Sequence, residues 1–150
     1  RYIPIGYVDK NIIASNACFT VPDASLFTFG ILTSNIHMAW TKVVAGRIKS
    51  DFRYSNTLVY NTFPWPTPTD KQKAKIEKTA QAILDARALY PDSSLADLYD
   101  PLTMPKELLK AHQDNDRAVM EAYGLPVNGT TESDAVAHLF KMYEKLTNKK

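Results

Sequence analysis

Apolar residues change period along this chain. In "RYIPIGYV" and "IIASNACFTV", isoleucine, valine, tyrosine and phenylalanine gather in runs of strand length, and the "DKN" between them suits a hairpin turn. The spacing then becomes helical. Across "PDASLFTFGILTSNIHMAWTKVVAGR", Leu26, Phe29, Gly30, Thr33, Ile36, His37, Trp40 and Val44 recur on one face, with Asp23 or Ser25 as N-cap and Gly46 as a stop. "RYSNTLVYNTF" returns to strand composition. The first part therefore reads strand, strand, helix, strand.

"FPWPTPTD", residues 63 to 70, interrupts the pattern with prolines at alternate positions, which remove backbone donors and hold the chain extended. This stiff connector divides the chain into residues 1–66 and 67–150, and beyond it the periodicity is helical throughout. Thr69 and Gln72 have capping-box spacing ahead of Ile76, Ala80, Ile83 and Leu84. "PDSSLADLYDP" reads as a loop around a short helical turn. Pro105 and Gly124 bracket a helix with Leu108, Val119 and Tyr123 on one face, and Thr131 with Asp134 opens a last one through Ala135, Leu139, Met142, Tyr143 and Leu146. The expected fold is α+β: a small mixed segment of strands and helix, followed by a bundle of about three helices.

Composition adds little to that picture, at 45% hydrophobic and 23% charged residues. Charge adds more. Residues 1–66 carry six lysines and arginines against three acids, a net of +3, and residues 67–150 carry twelve against thirteen, a net of −1. Any polyanion should meet the first part. The single Cys18 cannot pair within the chain and reads as a small buried hydrophobe. No apolar run has bilayer-spanning length and no signal pattern opens the chain, so an intracellular protein is expected, and "NGT" at Asn128 reads as a turn. Starting at Arg1 inside a strand-like run, the chain is expected to be a piece of a longer polypeptide.

Catalytic chemistry finds no foothold in the pattern. The five glycines are scattered singly, so there is no phosphate or dinucleotide loop. His37, His112 and His138 stand far apart and read as packed or solvated, and no His, Cys or acidic residues have metal-ligand spacing. Phe27, Phe29, Trp40, Tyr60, Phe63 and Trp65 could stack on bases, but their interleaving with aliphatic residues favours packing. Asp116 falls near an apolar stripe, where a hydrogen bond between helices would accommodate it.

What remains is "GRIKSDFRYS", residues 46 to 55. By spacing alone, Lys49, Asp51 and Arg53 are most economically a surface salt-bridge cluster. "RYIPIGYVD", "FGILTSNIHMAW", "GRIKSDFRYS" and "VYNTFPWP", in this order, resemble the end of the target-recognition domain of MmeI-like type IIL restriction-modification enzymes. "LADLYDPLTMPKELLKAHQDNDRAVMEAYG" is similar to their closing helical segment. The resemblance spans nearly the whole chain and reverses the balance. It implies double-stranded DNA as partner and Lys49, Asp51 and Arg53 as base readers, with Ala17 matching a position that works together with the one at Arg53.

The chemistry suits that role: Lys donates to guanine, Asp accepts from cytosine N4, and Arg can fork onto guanine. In one extended segment, residues 49, 51 and 53 would share a face. Lys42 and Arg47 are weaker candidates, as phosphate contacts. The family's methyltransferase motif, cofactor loop and nuclease motif are absent here. The implied fragment is thus not itself an enzyme, while the parent would be a bacterial, cytoplasmic adenine-specific DNA methyltransferase with endonuclease activity, using S-adenosylmethionine and Mg2+. The alternative is a structural or interaction module whose helical half docks on the rest of the polypeptide or on a second copy as a homo-oligomer.

Overall fold

Ser25 opens the first helix, its hydroxyl accepting from Thr28 N at 3.2 Å, and the chain runs as α1 from Leu26 to Leu32. The computed structural model describes residues 5–7, 24–44, 47–48, 51–52 and 60–148. The apolar run read as one helix is broken at Thr33–Ser34, because Ser34 serves both sides of the break. Its hydroxyl donates to Ile31 O at 2.7 Å and accepts from His37 N at 3.3 Å, so that α2 starts afresh at Asn35 and continues to Val44. Two short strands follow, β1 (Arg47–Ile48) and β2 (Asp51–Phe52), paired antiparallel with Arg47 opposite Phe52 and Ile48 opposite Asp51.

After the connector come α3 (Asp70–Ala88), the single turn α4 (Leu95–Leu98), α5 (Lys106–Ala122) and α6 (Glu132–Thr147). Both predicted capping boxes form, at Thr69 with Gln72 and at Thr131 with Asp134. At the far end of α5, Gly124 takes φ +74°, Gly124 N donates to Glu121 O and Leu125 N to Met120 O. This is the pairing of a Schellman stop, open to glycine because no Cβ opposes the left-handed turn. Gly129, in "NGT", also has a positive φ, +85°, as a turn requires.

The α+β expectation is overturned. Described residues form six helices, and their β structure is limited to the two residue pairs of β1 and β2. Expected strands over residues 1–4, 8–21 and 53–59 lie outside the described residues. Residues 5–7, expected in the first strand, have no regular structure: Arg87 takes the Ile5 carbonyl, and the Tyr7 hydroxyl reaches Ala24 O and Ser25 O. The far end of the last expected strand, residues 60–62, is a tight turn that swings Phe63 inward to 4% exposure. Burying that ring outweighs the β preference of its neighbours, which depends on context.

The helices are held by two apolar clusters that α3 and α5 both span. These two run antiparallel: Gln72 Nε2 donates to Glu121 O, Thr79 Oγ1 to Asn115 Oδ1, and Tyr90 OH to Glu107 Oε2. One cluster joins Ile31, Ile36, Trp40, Phe63, Ile76, Val119, Tyr123 and Leu139. The other joins Phe29, Ala80, Ile83, Leu98, Leu108 and Ala111. Residues from both sides of the connector enter each cluster, with α1 packed across α3 and α2 along α6. Of the expected apolar stripe on α6, Ala135 and Leu139 are buried, but Leu146 stands 55% exposed.

Candidate nucleic-acid interface

β1 begins three positions after the last residue of α2, and the described chain resumes at Tyr60 beyond β2, so α2 and Thr62–Phe63 form the base that flanks the ribbon in sequence. In the antiparallel ladder Ile48 stands opposite Asp51. Of the expected run carrying residues 49, 51 and 53, the described residues include only Asp51, on β2. Arg47 and Asp51 sit on opposite strands of the ribbon, while Lys49, Arg53 and Ala17 lie outside the described residues.

Aromatic packing fixes the base. Trp40, 1% exposed, donates from Nε1 to Thr62 Oγ1 at 3.3 Å, joining the outgoing helix to the returning chain. Phe63 lies 4.5 Å from the His37 ring, edge to face, and 6.4 Å from Trp40. Phe140 and Tyr143 of α6 approach the same indole, at 5.0 and 6.0 Å between centroids. The connector is fastened as well: Tyr123 OH donates to Pro64 O at 2.8 Å, and Trp65 packs edge to face on Tyr60 and Phe63. Phe29, Trp40 and Phe63 are thus core residues with no face left for a base.

Lys42, in the last turn of α2, reaches Glu132 at 2.9 Å across to the start of α6. Both side chains are exposed, so the pair stabilises little and a phosphate could compete for the lysine. Asp116 makes the expected helix-to-helix bond. Its Oδ1 accepts from Asn35 N at 2.9 Å, supplying the first turn of α2 with an acceptor from α5.

The histidines pack as structural groups. Burial holds His37 down to about 3. His112, which pairs through Nε2 with the Tyr99 hydroxyl, is likewise lowered to about 3, by burial first and then by the charge of Arg87. The sequence reading missed this second polar cluster. Arg87 donates to Tyr99 OH at 3.1 and 2.6 Å and lies over the Phe29 ring at 5.4 Å. Its signal was available: Arg87 falls four residues after Ile83 and seven after Ala80, on the buried stripe of α3. The Trp40 base was missed too, because Phe140 carries no mark in a helical pattern that would set it apart from a surface aromatic. Among the described residues, no group of three or more His, Cys, Asp or Glu side chains gathers where a metal could bind, and no helix is long and apolar enough to cross a membrane.

Residues 1–67 match the family model described as the target recognition domain of MmeI, and residues 68–149 match that of the MmeI C-terminal domain. A protein of Bacillus subtilis (strain 168) named DNA methyltransferase A is 40% identical over 148 residues, which is 99% of this chain and 17% of that protein. Type IIL restriction-modification enzyme MmeI, solved in complex with DNA, matches at 52% identity and a TM-score of 0.93, over 98% of this chain and 20% of that one. The chain therefore spans about a fifth or less of the length of these relatives.

Proposed function

From the premise that the chain belongs to the MmeI family, matching its target recognition and C-terminal domains in turn, we propose that it reads DNA sequence within a longer restriction-modification polypeptide. The observation that carries this reading is the ribbon of β1 and β2 inside the segment matched to target recognition. A two-stranded ribbon is one of the shapes that the major groove admits, and there each base pair presents its own pattern of donors and acceptors. Asp51 lies on that ribbon, opposite Ile48.

Lys49 and Asp51 jointly read one G·C pair in this proposal: the ammonium donates to guanine and the carboxylate accepts from cytosine N4. Arg53, with room left by Ala17, reads a neighbouring guanine. Lys42 and Arg47 contact phosphates and set the register without specifying sequence. The longer polypeptide is proposed to be a type IIL adenine-specific DNA methyltransferase with nuclease activity. S-adenosylmethionine and Mg2+ would serve that longer polypeptide; among the described residues, no group of three or more His, Cys, Asp or Glu side chains gathers where a metal could bind. Boundaries near residue 66 would then separate the reader from its helical support.

Exchanging Lys49 and Asp51 for residues of opposite hydrogen-bonding character in the full-length polypeptide tests the assignment. The methylated sequence should change at one base-pair position, detected by sequencing modified DNA. An unaltered methylated sequence would remove Lys49 and Asp51 from the readout.

A further inference from the structure

In sequence the ribbon lies between α2 and Thr62, and Trp40 touches both of these flanks. Its ring belongs to the outgoing helix, its Nε1 holds Thr62 Oγ1 at 3.3 Å on the return, and Phe63 packs beside it. The third side of the indole is covered from the C-terminal part of the chain, by Phe140 at 5.0 Å and Tyr143 at 6.0 Å. Phe140 is 38% exposed, so its ring does more to wedge the indole than to fill the core. The adjoining Lys42 to Glu132 ion pair ties the same two helices.

We propose that α6 acts as a clamp on the root of the reading ribbon, with Phe140 and Tyr143 as positioning residues that act through Trp40 on the sharpness of DNA sequence preference. The proposal rests on the DNA-reading function above and gives the helical C-terminal part a task within it. Base readout requires donors and acceptors held to within a fraction of an ångström, and that precision depends on the groups behind the ones that touch the base. Loosening the indole lets the two chain segments that flank the ribbon in sequence shift relative to each other. Correct and incorrect base pairs are then bound more nearly alike, whereas phosphate contacts, being tolerant of angle, are retained.

Selection of bound duplexes from a randomised DNA pool by the full-length polypeptide, followed by sequencing, tests the clamp. Phe140→Ala should lower the preference for the best sequence over the pool average by about tenfold, and Phe140→Tyr should restore it. The slope of binding against log salt should stay unchanged, since no cation is removed. A purely structural role would instead lower the melting temperature and the active fraction without altering the selected sequences. Where Phe140→Ala loses its cooperative melting transition, Thr62→Val decides: it removes the acceptor for Trp40 Nε1 with little change of shape and should broaden the preference in the same way. If Arg53→Ala altered the selected sequence while the clamp variants did not, the clamp would be overturned with the reading intact. If Arg53→Ala altered nothing, the DNA-reading assignment would fall and the clamp with it.

Discussion

Gly30 shows how closely single positions are fitted here. A Cβ built on it would stand 2.7 Å from Ile76 Cγ2, 3.1 Å from Asn115 Oδ1 and 3.3 Å from Ala80 Cβ, so α1 rests directly on α3. Asn115 prevents α1 from backing away. Its Nδ2 holds Gly30 O at 2.8 Å, while its Oδ1 accepts from Thr79. Two effects oppose each other in Gly30→Ala: better helix propensity contributes about 1 kcal/mol, and forcing the extra methyl against Ile76 costs about 1–3 kcal/mol. Because the nearest distance is shorter than any ordinary contact, the clash wins. Gly30→Ala should lower stability by up to about 2 kcal/mol, read as a fall in melting temperature by circular dichroism, and a rise would show that α1 and α3 can move apart. Sequence periodicity placed Gly30 on the inner face of its helix. The need for a bare α-carbon there comes from Ile76 and Asn115, 46 and 85 residues further on, which no local pattern reveals.

Helix ends divide into those written locally and those completed from afar. Thr69, Thr131 and the glycine after α5 are local signals and all three were legible, because the group that satisfies the backbone, a side chain at the two threonines and a carbonyl at the glycine, lies within five residues of it. The start of α2 needs the carboxylate of Asp116, 81 residues away, and the sequence offered only a charged residue near an apolar stripe. That difference is measurable. Thr131→Ala removes an exposed cap worth about 1 kcal/mol. Asp116→Ala removes a buried, charged acceptor from the Asn35 amide, so it should cost about 1.5–3 kcal/mol. Urea denaturation of the two variants checks the order, and equal costs would mean that α2 draws its stability from Ser34 alone. The division of the long apolar run at Ser34 belongs with these cases: the side chain was visible, but its double bonding is compatible with a cap only once α1 and α2 pack in different directions. Of the proposed DNA contacts, the types Lys49, Asp51 and Arg53 were legible as chemistry, whereas the pairing of Asp51 with Ile48 depends on a cross-strand register that no local pattern shows.

Across the whole molecule, the connector marks a change in periodicity and in matched family models without dividing the core, since Ile31, Trp40 and Phe63 share one cluster with Val119, Tyr123 and Leu139. Long amphipathic segments reveal that helices exist; which helices meet is decided by contacts far apart in sequence, and so the share of helix in the first part was underestimated. A shared core also makes the acid response a property of the whole chain. His37 is fully buried against Phe63, and His112 lies buried beside Tyr99, both with folded pKa values lowered to about 3. An unfolded chain protonates each imidazole near its ordinary value of about 6.5. Below that value the unfolded state binds protons that the folded state refuses. Stability from these groups is therefore complete above about pH 6.5 and is lost as the pH falls toward 3, at up to about 1.4 kcal/mol per pH unit for each histidine. His37→Leu removes one of the two, so its stability measured by urea denaturation should fall about 1.4 kcal/mol per unit less steeply between pH 6 and pH 4. Parallel curves would mean that His37 accepts a proton inside the folded core, and the edge of Phe63 would then be packed against a cation. Steeper loss in the unaltered chain, the expected outcome, locates that share of the acid sensitivity in His37, buried against Phe63 where α2 meets the returning chain.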